Sequence, residues 1–351
     1  MNSKQRTYAA FANRGWDRLP MWYGAEPDTT RNVLDFLGLA NEDELFRYLG
    51  IDMRTIRPRY VGPELRHYPD GRFDTYWGIQ RGGGFWGVAL NTPLAHAETV
   101  ADVEAHSFPR AEWFDVRFNE QDRRLAQEYF IIGGMWSPFW HETLELLGLE
   151  KMLIDMKFNP ALVEAVLERT FELDYQVSVA AFEANPGLID MFWFANDFGT
   201  QKGLILNPAM WRKFFKERIR KLAALGHKHG AVVAMHSCGD IHEIIPDLIE
   251  TGIEVLNPIQ VSAANMEPAV LKREYGKDLI FFGAIDYNQI LNHGTEEVVR
   301  AEVRRIIDIL GCDGRYVVAP SHDLMMAEVP PRNIWALYDE ALRYSTQIAP
   351  R

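Results

Sequence analysis

The 351-residue chain is 47% hydrophobic and 25% charged, with a formal net charge of −12. That balance supports a large buried core and argues against nucleic acid as a default partner. The two cysteines, Cys238 and Cys312, supply no disulfide framework, and neither a signal-peptide start nor a run of about 18 apolar residues occurs, so a reducing, cytoplasmic setting away from membranes is expected.

Short apolar runs followed by longer amphipathic stretches recur along the chain, the pattern of βα units around a parallel sheet. Eight runs fit: 19–24, 52–58, 129–136, 189–197, 231–239, 253–259, 279–286 and 315–323. Eight parallel strands predict an α/β fold of the (β/α)8 TIM-barrel type. Between the second and third runs, residues 59–125 carry turn dipeptides among short aromatic and β-branched segments, and read as hairpins inserted near the barrel mouth. The spacing predicts a helix over 207–230, with Asn207 as cap before Pro208 and a glycine at its end. A second helix is predicted over 294–311, capped by Thr295, with Val298, Val303, Ile306, Ile307 and Leu310 on one side. No linker or low-complexity tract divides the chain, so 1–351 reads as one barrel domain with an insertion.

A barrel of this kind places function at the carboxyl ends of its strands. The fifth run ends in His236, Cys238 and Asp240; alternation in an extended segment puts His236 and Cys238 on one side, where imidazole and thiolate form a zinc-type pair. Packing in a buried strand is the ordinary alternative for such a pair. Other strand ends deliver Trp22, Tyr23, Arg54, Arg57, Arg59, Trp136, Trp140, His141, Asn196, Asp197, Gln201, Asn257, Gln260, Asp286, His322 and Asp323. Asp197 and Asp286 lead the candidates for acid/base work or ligand orientation, ahead of Asp240, Asp323 and Glu328, with capping as the competing role. The three arginines fit either carboxylate binding or ion pairs under the hairpins. Trp22, Tyr23, Trp77, Phe85, Trp86, Trp136, Trp140 and Trp193 divide between core and an aromatic pocket at the mouth. His227, His229, His242 and His293 fall near helix ends and suit solvation or capping. Cys312 precedes the eighth run, roughly 25–30 Å from His322 at about 3.3 Å per residue, and reads as structural.

The stretches 197–222, 235–260, 281–307 and 316–337 resemble the uroporphyrinogen decarboxylase superfamily, which also contains zinc-dependent methyltransferases that work with methylcorrinoid proteins. True porphyrinogen decarboxylases carry an R-x-A-G-R-Y motif near the N-terminus; here that region reads RLPMWYGAEPDTT. The methyltransferase branch carries an H-x-C pair and a third ligand, usually cysteine, after the eighth strand. His236 and Cys238 match the pair, and His322, in Pro320-Ser321-His322-Asp323, falls at the cysteine position. The resemblance therefore implies Zn(2+) on His236, Cys238 and His322. It also implies methyl exchange between a corrinoid (cobalamin) carried by a partner protein and a small donor or acceptor, with a methoxylated aromatic compound as one candidate. Trp22, Tyr23, Arg54, Arg57, Trp136, Trp140, Gln201 and Asn257 would contact the substrate, and a homodimer is compatible with the superfamily. A decarboxylase or lyase acting on a small carboxylated substrate, and a non-catalytic corrinoid- or tetrapyrrole-binding protein, are the alternatives.

Overall fold

The computed structural model describes residues 1–83 and 87–350. Seven parallel strands form one sheet in chain order: Met53–Thr55, Phe130–Gly133, Met191–Ala195, Val232–His236, Val255–Asn257, Ile280–Phe282 and Tyr316–Val317. These are the second to eighth apolar runs. The first run contributes only a bridge, Met21 to Val318, because Pro20 has no N–H to give a ladder. That bridge joins the two edges of the curled sheet. Trp22 N–H donates to the Val318 carbonyl, Val318 N–H to the Pro20 carbonyl and Asp52 N–H to the Met21 carbonyl, at 3.2, 2.9 and 2.9 Å. The arrangement is a TIM-barrel-like α/β fold.

A buried carboxylate reinforces this closure. Asp52 accepts the Met21 N–H at 2.9 Å, both terminal nitrogens of Arg18 at 2.6 and 3.0 Å, and Arg6 at 2.9 Å. A buried charge is tolerable only with such pairing, so the network ties the first run to the strand beside it.

Period-two alternation separates two cores. Met53, Phe130, Ile132, Met191, Trp193, Ala234, Val255, Ile280, Phe282 and Val317 turn inward and pack with Trp22 and Ala319. Their neighbours Ile131, Phe192, Phe194, Val233, Met235, Leu256, Phe281 and Tyr316 turn outward against the helices. The inward parity continues from Ala234 to His236 and from Val255 to Asn257, and so aims both polar side chains at the barrel axis.

The insertion contains the expected hairpins: Phe73–Asp74, Gln80–Gly82 and Val88–Ala89 pair antiparallel, and Arg59–Tyr60 pairs with Phe114–Asp115. Phe85 and Trp86 lie outside the described residues. The helix expected over 207–230 begins at Pro208 with Asn207 capping the Met210 N–H, but a π-helical turn at Arg212–Lys216 interrupts it before Glu217–Lys228. The helix Glu296–Leu310 starts at the Thr295 cap, and its buried face holds Val299 in place of the expected Val298, which is exposed. A further hairpin, Gly199–Thr200 with Gly203–Leu204, had no visible signal in the sequence. No described helix is long and apolar enough to cross a membrane.

Candidate metal centre

The strand Val232–His236 ends as its chain turns over the barrel axis, and His236 is almost fully buried there. Cys238 Sγ lies 3.4 Å from His236 Nε2, as the alternation predicts. Asp197, from the end of Met191–Ala195, joins them with Oδ1 3.4 Å from the same nitrogen. Among the described residues these three form the one group of metal-ligating side chains whose donor atoms all lie within 4.8 Å of one another.

Close backbone contact holds the group together. Gly239 adopts φ +85°, and a Cβ there would sit 2.4 Å from the carbonyl carbon of Gly199; a Cβ on Gly199 would reach the Cys238 carbonyl at 2.7 Å. Only glycines allow the loops after the two strands to touch. Asp240 N–H then donates to the Thr200 carbonyl at 2.7 Å, and Cys238 N–H to Asp197 Oδ1 at 2.6 Å. Gln260 Oε1 accepts the Gly239 N–H at 2.7 Å.

His236 is oriented from behind. Its Nδ1–H donates to Asn257 Oδ1 at 2.8 Å, which leaves Nε2 facing Cys238 and Asp197. The other oxygen of Asp197 lies 3.2 Å from His141 Nε2. His141 is carried by the segment that Asn196 anchors, through Oδ1 to the Trp140 N–H and Nδ2 to the Ser137 carbonyl. Burial disfavours the Asp197 anion, yet the bonds from His141 and His236 outweigh it and hold this carboxyl well below the usual range. Burial likewise opposes the His236 cation, but Cys238, Asp323 and Asp197 together push the imidazole well above its ordinary value. Burial pushes the Cys238 thiol up. The pocket thus attracts positive charge, and a dication would displace the imidazole and thiol protons.

The donor set fits zinc. With Zn–N near 2.0 Å and Zn–S near 2.3 Å, tetrahedral ligands stand about 3.4–3.6 Å apart, which matches the 3.4 Å from His236 Nε2 to Cys238 Sγ and to Asp197 Oδ1.

Of the remaining expected site residues, Trp136 and Arg57 lie beside the centre and most others lie elsewhere. His322 is half-buried, with Nδ1 2.7 Å from the Leu324 carbonyl and its ring 5.1 Å from Tyr287, outside the three-donor group. Asp286 caps the turn Tyr287–Leu291 by accepting the Gln289 N–H. Asp240 bonds the His242 N–H and Asn265, and Glu328 accepts from the Tyr287 hydroxyl. Gln201 is exposed at the tip of the 199–204 hairpin. Trp22 and Trp193 fill the barrel interior, Trp140 packs on Phe198 and Phe215, Tyr23 on Phe46 and Tyr338, and Trp77 donates to Glu142. Trp136 is half-buried, its ring 5.6 Å from His236. Arg54 is sandwiched between Tyr129 and Phe46, Arg59 pairs with Asp115, and Arg57 turns inward onto Trp136. Cys312 is exposed in the turn before Tyr316–Val317. His227 and His242 pair with Glu254 and Glu274, and His229 stacks on Phe182.

A sequence profile of the family described as uroporphyrinogen decarboxylase (URO-D) matches residues 118–344. The chain belongs to the URO-D family. A solved methyltransferase from Methanosarcina mazei is similar to this URO-D family member, with a TM-score of 0.64 over 98% of this chain and 99% of that one, at 18% identity. At that identity the likeness establishes the shared fold. No curated protein matches the sequence significantly.

Proposed function

We propose that this URO-D family protein is a zinc-dependent methyltransferase that moves a methyl group between a corrinoid and a small substrate or thiol. The observation that carries the reading is the 3.4 Å spacing of His236 Nε2 from both Cys238 Sγ and Asp197 Oδ1 at the carboxyl end of the barrel. A zinc ion bound there would lower the pKa of a coordinated thiol or polarise a methoxyl group. Asn257 holds His236 with Nε2 toward Cys238 and Asp197, His141 steadies Asp197, and Trp136 packs beside the imidazole. Asp197 is the third protein donor supported by the geometry; His322, offered by the sequence, is the competing one. In the thiol direction the sulfur–carbon bond would form as the cobalt–carbon bond of the methylcorrinoid substrate breaks, both electrons of that bond staying with cobalt and the thiol proton going to solvent. The corrinoid partner protein rests on the resemblance alone.

Metal analysis of Asp197→Asn and His322→Ala beside wild type decides the third ligand: loss of zinc in the first alone supports Asp197, and loss in the second alone supports His322. The visible spectrum of free cobalamin incubated with the protein and a panel of thiols and methoxylated donors tests transfer, and an unchanged spectrum with every member counts against it. Decarboxylation of a small acid is the second reading, favoured by the family's description and by Arg57 at the mouth. It predicts carbon dioxide release that disappears in Arg57→Gln.

A further inference from the structure

The three arginines near the second strand meet three different fates, and parity explains those of Arg54 and Arg57. Arg54 turns outward from the barrel, where Tyr129 and Phe46 cover it at 3.8 and 4.7 Å and the Ile51 and Met53 carbonyls take its Nη1. Arg59 sits on the insertion and is paired with Asp115. Arg57, two positions further along the inward series from Thr55, crosses the mouth. Its Nη1 donates to the Gly134 and Trp193 carbonyls at 3.2 and 3.0 Å, and its face lies 5.0 Å over Trp136.

These contacts use one terminal nitrogen and the π-face. No acidic side chain pairs with Arg57 among the described residues, and neither Nε nor Nη2 has a bonding partner or is sealed from solvent. Burial without a counter-charge pushes the guanidinium down to about 9, so it is still charged at neutral pH. A fixed, half-buried cation therefore keeps two parallel N–H donors unpaired, the geometry that matches one carboxylate side-on. Trp136 spans the distance from this fork to the His236 imidazole.

We propose that the Nε/Nη2 edge of Arg57 docks a carboxylate of the small substrate, so that this site acts on a carboxylic acid whose opposite end reaches His236 and Cys238. The orientation rests on the reading of that pair as the reaction centre; the carboxylate subsite itself does not. Bound this way, the acid would lie along Trp136, with Arg57 fixing one end by two charge-assisted bonds.

Calorimetric titration of the full-length protein with 4-methoxybenzoate and methoxyacetate, against the corresponding neutral amides, tests the subsite. The expected result is that wild type binds at least one acid, that its amide binds about tenfold more weakly or worse, and that Arg57→Gln loses about tenfold or more for the acid only. Arg57→Lys, which keeps the charge and loses the fork, should fall between the two. Equal binding of acid and amide by wild type, acid binding by Arg57→Gln within about threefold of wild type, or no binding of either acid at millimolar concentration overturns the proposal. Zinc is measured on the same samples: a wild type that lacks zinc yet binds acids through Arg57 retains the subsite and removes the methyl-transfer reading.

Discussion

Replacing Asn257 with alanine isolates the orienting contact behind the imidazole. Asn257 is almost fully buried, and its Oδ1 is the partner of His236 Nδ1 at 2.8 Å. The substitution removes that acceptor without touching any proposed donor atom. The ring then loses the bond that fixes its tautomer and its aim, and a buried N–H is left unpaired at a cost of about 1–3 kcal/mol. Loss of an outer partner of this kind weakens metal binding about 10–100-fold, or about 1.4–2.7 kcal/mol. The backbone carbonyl of Asn257, which accepts the Ser237 N–H, is unaffected, so the strand pairing should survive. Zinc competition against a chromophoric chelator reads the affinity, and a thermal melt of the metal-free protein reads the fold. A zinc affinity within twofold of wild type in a folded Asn257→Ala protein would refute the orienting role of this contact.

Three other substitutions probe the frame around the centre. Gly239→Ala places a Cβ 2.4 Å from the Gly199 backbone at φ +85°; zinc affinity should fall at least about tenfold by competition titration, because Cys238 and Asp197 are carried by the loops forced apart, and unchanged affinity would contradict this. Asp52→Ala leaves Arg6, Arg18 and the Met21 N–H without their shared acceptor, which should cost about 3–5 kcal/mol in urea unfolding; a loss under about 1 kcal/mol would show that barrel closure does not need it. Glu142 and Asp174 are buried and face each other. Burial and their mutual repulsion hold the Glu142 carboxyl well above its ordinary value, and burial does the same for Asp174. Groups raised in the folded state bind more protons there, so their contribution is full below the ordinary carboxylate pKa near 4 and is lost as pH rises above it. Asp174→Asn should therefore flatten the fall in melting temperature between pH 5 and pH 8, and parallel pH profiles of variant and wild type would count against the buried pair.

Much of the barrel was legible because its inner and outer faces differ by one residue of parity. The same alternation brought His236 and Cys238 together and, applied to the second strand, separates inward Arg57 from outward Arg54. The first run reads as a strand by its hydrophobicity yet forms only a bridge, since Pro20 removes a ladder donor and a carboxylate 32 positions after it in the chain completes the closure. The π-turn at Arg212–Lys216 and the Gly199–Leu204 hairpin follow from tertiary packing that local periodicity does not encode. Asp197 could be named as a strand-end acid, but its seat against the Cys238 N–H depends on two glycines in separate loops that meet only in the fold. His141 was visible at the end of the third run; that it faces Asp197 follows from the Asn196 anchor. The aromatic mouth is smaller than the tryptophan count suggests, because Trp22 and Trp193 fill the barrel interior.

His236 and Cys238, with a third donor, are proposed to hold a zinc ion. X-ray absorption at the zinc edge, on protein expressed with zinc supplied and with metal content measured in parallel, tests it most directly. About one zinc per chain is expected, with a single sulfur ligand near 2.3 Å and nitrogen or oxygen ligands near 2.0–2.2 Å, and the metal is expected to be lost in both His236→Ala and Cys238→Ser. Well under one zinc per chain in wild type, or a bound zinc without a sulfur ligand, would contradict it.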